Sequence, residues 1–147
     1  MKTIICDIDG TVAHLVHRLH YIRCNPKNYD AFYAGVINDV PIQPVIELLK
    51  SLNHQEINII LVSGRPETTR TDTEKWLSIN QVPYSKLLMR KENDRRQDNI
   101  VKKEILQNIL EEGHTILFAI EDRKQVKQMW VENNVFVFDV NQKDVVF

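Results

Sequence analysis

Thr3-Ile4-Ile5-Cys6 runs straight into Asp7-Ile8-Asp9-Gly10-Thr11. The first four residues read as a buried strand, and Gly10 allows a sharp turn directly behind it. Two carboxylates one residue apart are thereby placed at a strand end. Such a pair can hold a divalent cation. One acid can attack phosphorus while the other moves protons. A D-x-D pair is also common by chance, and its plainer meaning is a strand that ends in a polar turn.

Further runs of the same kind follow. Ile57-Asn58-Ile59-Ile60-Leu61-Val62 is too continuously apolar for a strand with one wet face and suits a central parallel strand. Thr115 to Ile120 and Val135 to Phe138 have the same character, and Leu87-Leu88-Met89 is a shorter candidate. Helical periods lie between them. Val45, Leu48, Leu49 and Leu52 form one stripe behind Pro44; Val101, Ile105 and Ile109 form a second, widened by Leu106 and Leu110. Val126, Met129 and Trp130 form a third, suited to core packing or a subunit contact.

Strand and helix in alternation predict an α/β fold, a central parallel sheet with helices on both faces. Ligands in such sheets bind beyond the carboxyl ends of the strands. Asp7 and Asp9, Ser63-Gly64-Arg65 and Glu121-Asp122-Arg123 each close a strand, so they are expected to meet at one rim. Residues from about 14 to 39 are the least regular and are expected to form a small flap within a single domain, 1–147.

Composition narrows the function classes. A net charge of -1 over 147 residues argues against steering to nucleic acid by overall charge. Lys86, Arg90, Lys91, Arg95, Arg96, Lys102 and Lys103 nevertheless crowd one segment, which is either a solvated face or a local phosphate-binding patch. The two cysteines, Cys6 and Cys24, provide neither a disulfide framework nor a zinc site. His14, His17 and His20 recur every third residue, but no Cys or acid pair completes a metal shell. There is no P-loop signature, and four glycines leave no dinucleotide fingerprint. With no signal-like or membrane-length segment, a soluble cytoplasmic protein is expected.

At the predicted rim a phosphate dianion needs donors and positive charge. Asp7 can act as the nucleophile and Asp9 as the general acid and base. Asp7, the Asp9 carbonyl and Asp122 offer hard oxygens for Mg²⁺. Ser63 can donate to phosphate oxygens and Arg65 can present a planar fork. Asp98 and Lys102, four apart, share a helix face; they are either an ordinary surface pair or a phosphate-neutralising lysine held by an acid.

Asp7-Ile8-Asp9-Gly10-Thr11, Ser63, Lys102 and Glu121-Asp122, in that order, resemble the four motifs of the haloacid dehalogenase (HAD) superfamily of aspartate-nucleophile phosphatases. Arg18, Ser63-Gly64-Arg65, the stretch from Met89 to Lys102 and the one from Glu121 to Trp130 resemble, more narrowly, the 3′-phosphatase domain of bacteriophage polynucleotide kinase-phosphatase. The resemblance implies a Rossmann-like three-layer sandwich with a minimal cap. It implies removal of 3′-phosphates from DNA or RNA ends, with Mg²⁺, through an aspartyl-phosphate. Carried across, Asp7, Asp9 and Lys102 would be catalytic. Thr11, Arg18, Ser63, Gly64, Arg65 and Asp98 would bind substrate, with Asp98 holding Lys102. Asp7, Asp9 and Asp122 would hold metal, with Glu121 behind them where the family usually has a second aspartate. The family's kinase half has no counterpart here, so a free-standing phosphatase is expected, its oligomeric state open. Two alternatives are a phosphatase of small esters such as mononucleotides and a non-catalytic nucleic-acid-binding module.

Overall fold

The computed structural model describes residues 1–142. In chain order its elements are β1 (Lys2–Cys6), β2 (Ala13–His14), α1 (His20–Arg23), α2 (Tyr29–Ala34), β3 (Val40–Pro41), α3 (Gln43–His54), β4 (Asn58–Pro66), α4 (Arg70–Ile79), β5 (Lys86–Arg90), α5 (Asp98–Glu111), β6 (Thr115–Glu121), α6 (Lys124–Glu132) and β7 (Val137–Asp139). Five strands form one parallel sheet in the order β5-β4-β1-β6-β7.

The continuous apolar runs are explained by two cores, one on each face of the sheet. Ile4, Cys6, Ile59 and Leu61 pack with Val45, Ile46 and Leu49 of α3 and Trp76 and Leu77 of α4. Ile5, Ile60, Val62 and Ala119 point the other way, onto Leu106 and Ile109 of α5 and Val126, Met129 and Trp130 of α6. Strand residues alternate between these faces because successive side chains point to opposite sides. This is the α/β sandwich expected from the alternation of elements. Met129 and Trp130, which the sequence left open as core or subunit contact, are buried inside the molecule.

Details differ from the periodic reading. The last strand begins at Val137, and Phe136 and Phe138 are exposed. Leu48 and Leu110, assigned to buried stripes, also face solvent. Each lies at the edge of its helix's apolar arc, where a 3.6-residue period rotates it away from the sheet.

The segment expected to form a flap is closed at its base by antiparallel pairing of β2 with β3, Ala13 opposite Pro41 and His14 opposite Val40. It carries α1, α2 and two short 3₁₀ turns around a small cluster of its own, Leu15, Leu19 and Phe32. Residues 143–147, the end of the expected 1–147 domain, lie outside the described residues. Among the described residues no helix is long and apolar enough to cross a membrane.

Neighbouring leucines on α3 provide a test of which face it buries. Leu49→Ala is expected to lower the unfolding free energy by about 2–5 kcal/mol. Leu48→Ala is expected to change it by less than about 0.5 kcal/mol. Denaturant titration of both variants would measure this, and similar losses would contradict the orientation of the helix.

Candidate active site

The carboxyl ends of β1, β4 and β6 bring together the three clusters expected at one rim. Asp7 follows β1 and stays tied to it, its N–H donating to Ile120 O at 3.1 Å. Lys102, on the buried side of α5, reaches back to donate from Nζ to Asp7 Oδ1 at 2.8 Å and to Glu121 Oε1 at 3.0 Å. Thr11 Oγ1 lies 3.3 Å from both Asp7 Oδ2 and Asp122 Oδ1. Its single proton serves one of them at a time. Gly10 makes this convergence possible. Its φ is +79°, and a Cβ there would sit 1.9 Å from Asp122 Oδ2.

Three buried carboxylates, Asp7, Glu121 and Asp122, face one ammonium. Burial, then the Glu121 charge, pushes Asp7 well above the carboxylate range, with Lys102 pulling the other way. The same two causes raise Asp122 to about 7. Burial alone would lower the Lys102 ammonium, but Asp7 and Glu121 outweigh it and raise it. Such a cluster is short of positive charge, and it fits a hard cation. The three acids each bring an oxygen within 4.8 Å of the others. Both Glu121 oxygens are already engaged: Oε1 accepts from Lys102 and, at 3.4 Å, from Trp130 Nε1, while Oε2 accepts from the backbone N–H groups of Asp122 and Arg123. Asp7 and Asp122 are therefore the carboxylates best placed for Mg²⁺, which needs only one or two. Glu121 holds the lysine and the turn into α6.

Asp9 is held differently. Arg18 Nη2 and Arg65 Nη2 each donate to its Oδ1 at 2.7 Å, and Arg65 Nε adds longer bonds to both oxygens. Both arginines also grip Asp39. Arg18 does so through Nε and Nη2 at 2.7 Å, and Arg65 through Nη2 at 3.1 Å. His17 Nε2 lies 2.6 Å from Asp39 Oδ1. Burial would raise the Asp9 carboxyl, but Arg65 and then Arg18 overcome it and bring it down to about 2.

Arg18 and Arg65, expected to meet substrate, are 0% and 1% exposed and hold Asp9 and Asp39 inside the protein. Asp98, expected to hold Lys102, makes no hydrogen bond to it, although the two charges attract and the Lys102 ammonium helps to lower the Asp98 carboxyl. Its oxygens accept from Arg90 and, at 2.6 Å, from Arg123 Nη1. The i, i+4 spacing placed the pair on one helix but could not show which way each side chain turns. Gly64 is where the next segment presses in: a Cβ there would sit 2.2 Å from Asp98 Oδ1. The register between β4 and β5 shifts between Ser63 and Pro66, which swings Gly64 and Arg65 out of the ladder. Ser63 is buried at this bend, its Oγ accepting from Arg65 N at 3.1 Å. Asp39 was not legible as a site residue, and Arg90 was legible only as one member of a basic segment. Asp39 lies 21 residues from Arg18 and 26 from Arg65, beyond any local spacing rule.

A parallel α/β sheet with a D-x-D strand end, an opposed buried lysine and a second acidic tip defines a phosphatase domain of the HAD type. The chain matches the polynucleotide kinase PNKP phosphatase domain over residues 1–145 and belongs to that family. A protein of Autographa californica nuclear polyhedrosis virus, provisionally named a bifunctional polynucleotide kinase/RNA ligase, is 28% identical over 142 residues, 95% of this chain and 19% of its own. Chains in two structures of the Pnkp1/Rnl/Hen1 complex, one of them titled an RNA repair complex, are 34% and 36% identical, with TM-scores of 0.81 and 0.83. This chain is covered to 99% and 98%, and spans only 46% and 43% of theirs. The class C acid phosphatase of Bacillus anthracis shares the fold, with a TM-score of 0.69 at 16% identity, 99% of this chain and 68% of that one being covered.

Two measurements test the paired charges. Asp39→Ala leaves two buried guanidinium groups short of a partner and is expected to cost about 3–5 kcal/mol of stability at neutral pH, read by denaturant unfolding. Asp9, lowered from 3.8 to about 2, favours the fold above its unfolded value, by about 2 kcal/mol. That contribution is lost as pH falls through the window from 3.8 to about 2. The unfolding free energy of the wild type should therefore fall more steeply across this window than that of Asp9→Asn. Equal slopes would contradict the clamp.

Proposed function

We propose that this domain hydrolyses the 3′-phosphate of DNA or RNA ends with Mg²⁺, Asp7 serving as the nucleophile. The observation that carries this reading is the placement of Asp7, whose Oδ1 is held by Lys102 and whose Oδ2 faces Thr11 beside Asp122. A carboxylate fixed from both sides can present one oxygen to phosphorus without searching for its geometry.

The phosphoryl group would enter between Lys102 and Ser63, both at the rim. Lys102 supplies a compact charge, and Ser63 supplies donors at the bend near the end of β4. Asp7 would attack, forming an aspartyl-phosphate as the bond to the leaving 3′-oxygen breaks. Asp9, on the other side of the turn, would give that oxygen its proton and then take one from the water that releases phosphate. The two arginines hold Asp9 oriented and ionised in the free site, so the proton it passes to the leaving oxygen would be one it first takes from the entering phosphate monoanion; giving that proton up returns the carboxylate that the second half-reaction needs. Mg²⁺, held by Asp7, Asp122 and the Asp9 carbonyl, would screen the repulsion between carboxylate and phosphate.

The substrate class is inferred from the family and from what its relatives are named for: polynucleotide kinase and RNA ligase in the viral protein, RNA repair in the Pnkp1/Rnl/Hen1 complex. A small flap supports the same reading, because a polymer end needs a rim that no bulky cap closes.

Phosphate release from 3′-phosphorylated DNA and RNA oligonucleotides, their 5′-phosphorylated counterparts and free mononucleotides would test the proposal. We expect turnover of 3′ ends in Mg²⁺, loss with EDTA, and at least about a thousandfold loss in Asp7→Asn. Equal or faster turnover of mononucleotides would favour a small-ester phosphatase. Inert 3′ ends would overturn the reading.

A further inference from the structure

Every phosphate monoester presents the same phosphoryl group, so an enzyme tells its substrates apart by the leaving group. In this site the leaving oxygen belongs next to Asp9, and whatever flanks Asp9 on the outer side flanks the leaving nucleoside. The flap supplies that wall. Asp9 accepts from Arg18 Nη2 at 2.7 Å; Arg18 Nη1 donates to Phe32 O at 3.4 Å, and its guanidinium lies 4.5 Å from the centre of the Phe32 ring. Helix α2 is thus docked on the catalytic carboxylate through one buried arginine. Its first turn is fixed by Asn28, whose Oδ1 accepts from Ala31 N at 3.0 Å.

Tyr33 follows Phe32 directly, and Tyr29 lies one turn before it on the same helix face. Their rings are stacked, with centroids 6.3 Å apart and planes 22° from parallel. Tyr29 is 50% exposed, a large aromatic surface left in solvent on the helix that Arg18 ties to Asp9. Tyr33 follows the Phe32 carbonyl that Arg18 holds, so its backbone lies two hydrogen bonds from Asp9. Burial, followed by the charges of Asp9 and Asp98, pushes its phenol up to about 12. The small flap core of Leu15, Leu19 and Phe32 accounts for the packing of one side of Tyr33 and leaves the outward face of Tyr29 without a role.

We propose that Tyr29 and Tyr33 form a stacking platform for the nucleobase of the nucleotide that carries the phosphate. The inference rests on the reading of the site as one for nucleic-acid ends, and adds to it where the terminal base lies. Aromatic stacking suits this task, because every base has a π face and a platform of this kind is tolerant of sequence. It would separate a nucleic-acid end from an alkyl or sugar phosphate of the same charge without closing a cap over the polymer.

The test compares two 3′-phosphorylated oligonucleotides that differ only in whether the terminal nucleotide carries its base or is abasic. In the wild type, kcat/KM for the base-bearing end should exceed that for the abasic end by about 5- to 150-fold. Tyr29→Ala should reduce this ratio, and Tyr29→Ala with Tyr33→Ala should bring it near one. The paired Tyr→Phe variant should keep it, since phenylalanine also stacks. A ratio is insensitive to the fraction of folded enzyme, and Tyr29→Ala alone, at an exposed position, keeps the test valid if the double variant folds poorly. A wild-type ratio near one, or a ratio unmoved by Tyr29→Ala, would overturn the platform while leaving the 3′-phosphatase reading intact. Turnover of mononucleotides with none of either 3′ end would overturn that reading, and the platform with it.

Discussion

Buried charge must be paired, and nearly everything distinctive about this molecule follows from that constraint. Removing a carboxylate or guanidinium from water costs several kcal/mol unless an opposite charge and hydrogen bonds replace the lost hydration. Arg18, Arg65, Lys102, Asp39, Glu121 and Asp122 are all nearly inaccessible. They fall into two groups. Around Asp9, two arginines meet two aspartates and the charges balance. Around Asp7, one lysine meets three carboxylates and they do not. The first group needs nothing more. The second calls for a cation and for the positive surroundings in which a phosphate would be held.

The balanced group also joins the flap to the sheet. Asp39 closes the flap just before β3, and its carboxylate lies between Arg18 from the flap and Arg65 from the end of β4. Its backbone carbonyl accepts from Trp76 Nε1 at 2.8 Å, fixing α4 to the same point. A short insert with only a few buried apolar residues of its own would be poorly held by hydrophobic contact alone. The ion-paired cluster supplies the missing constraint. It does so at the residue proposed to move protons, so the position of the flap and the orientation of Asp9 are set together.

Glu121 shows how one extra methylene can be accommodated. Where the family usually has an aspartate, the longer side chain spans from the lysine to the backbone of the turn into α6, and the indole of Trp130 supports it from the core. Asp98, paired with Lys102 by spacing, has its oxygens bound by Arg90 and Arg123 and acts on the lysine through charge alone.

How much of this was legible in the chain depended on range. The strands, the helices on either face and the meeting of Asp7, Ser63 and Glu121-Asp122 at one edge follow from local periodicity and from the right-handed crossover rule, which act within one or two elements. The partners of the buried charges did not follow. Asp39 carries no motif, Arg18 and Arg65 were expected to bind substrate with nothing to show their partners inside the protein, and Leu48 and Leu110 looked like core. Sequence by itself determined the order of elements, the family and the identity of the acids, because those rest on spacing along the chain. Only the tertiary structure decided which acid each cation meets. A charge pair is chosen by distance and burial between segments far apart in sequence, and neither quantity is written in the spacing of residues.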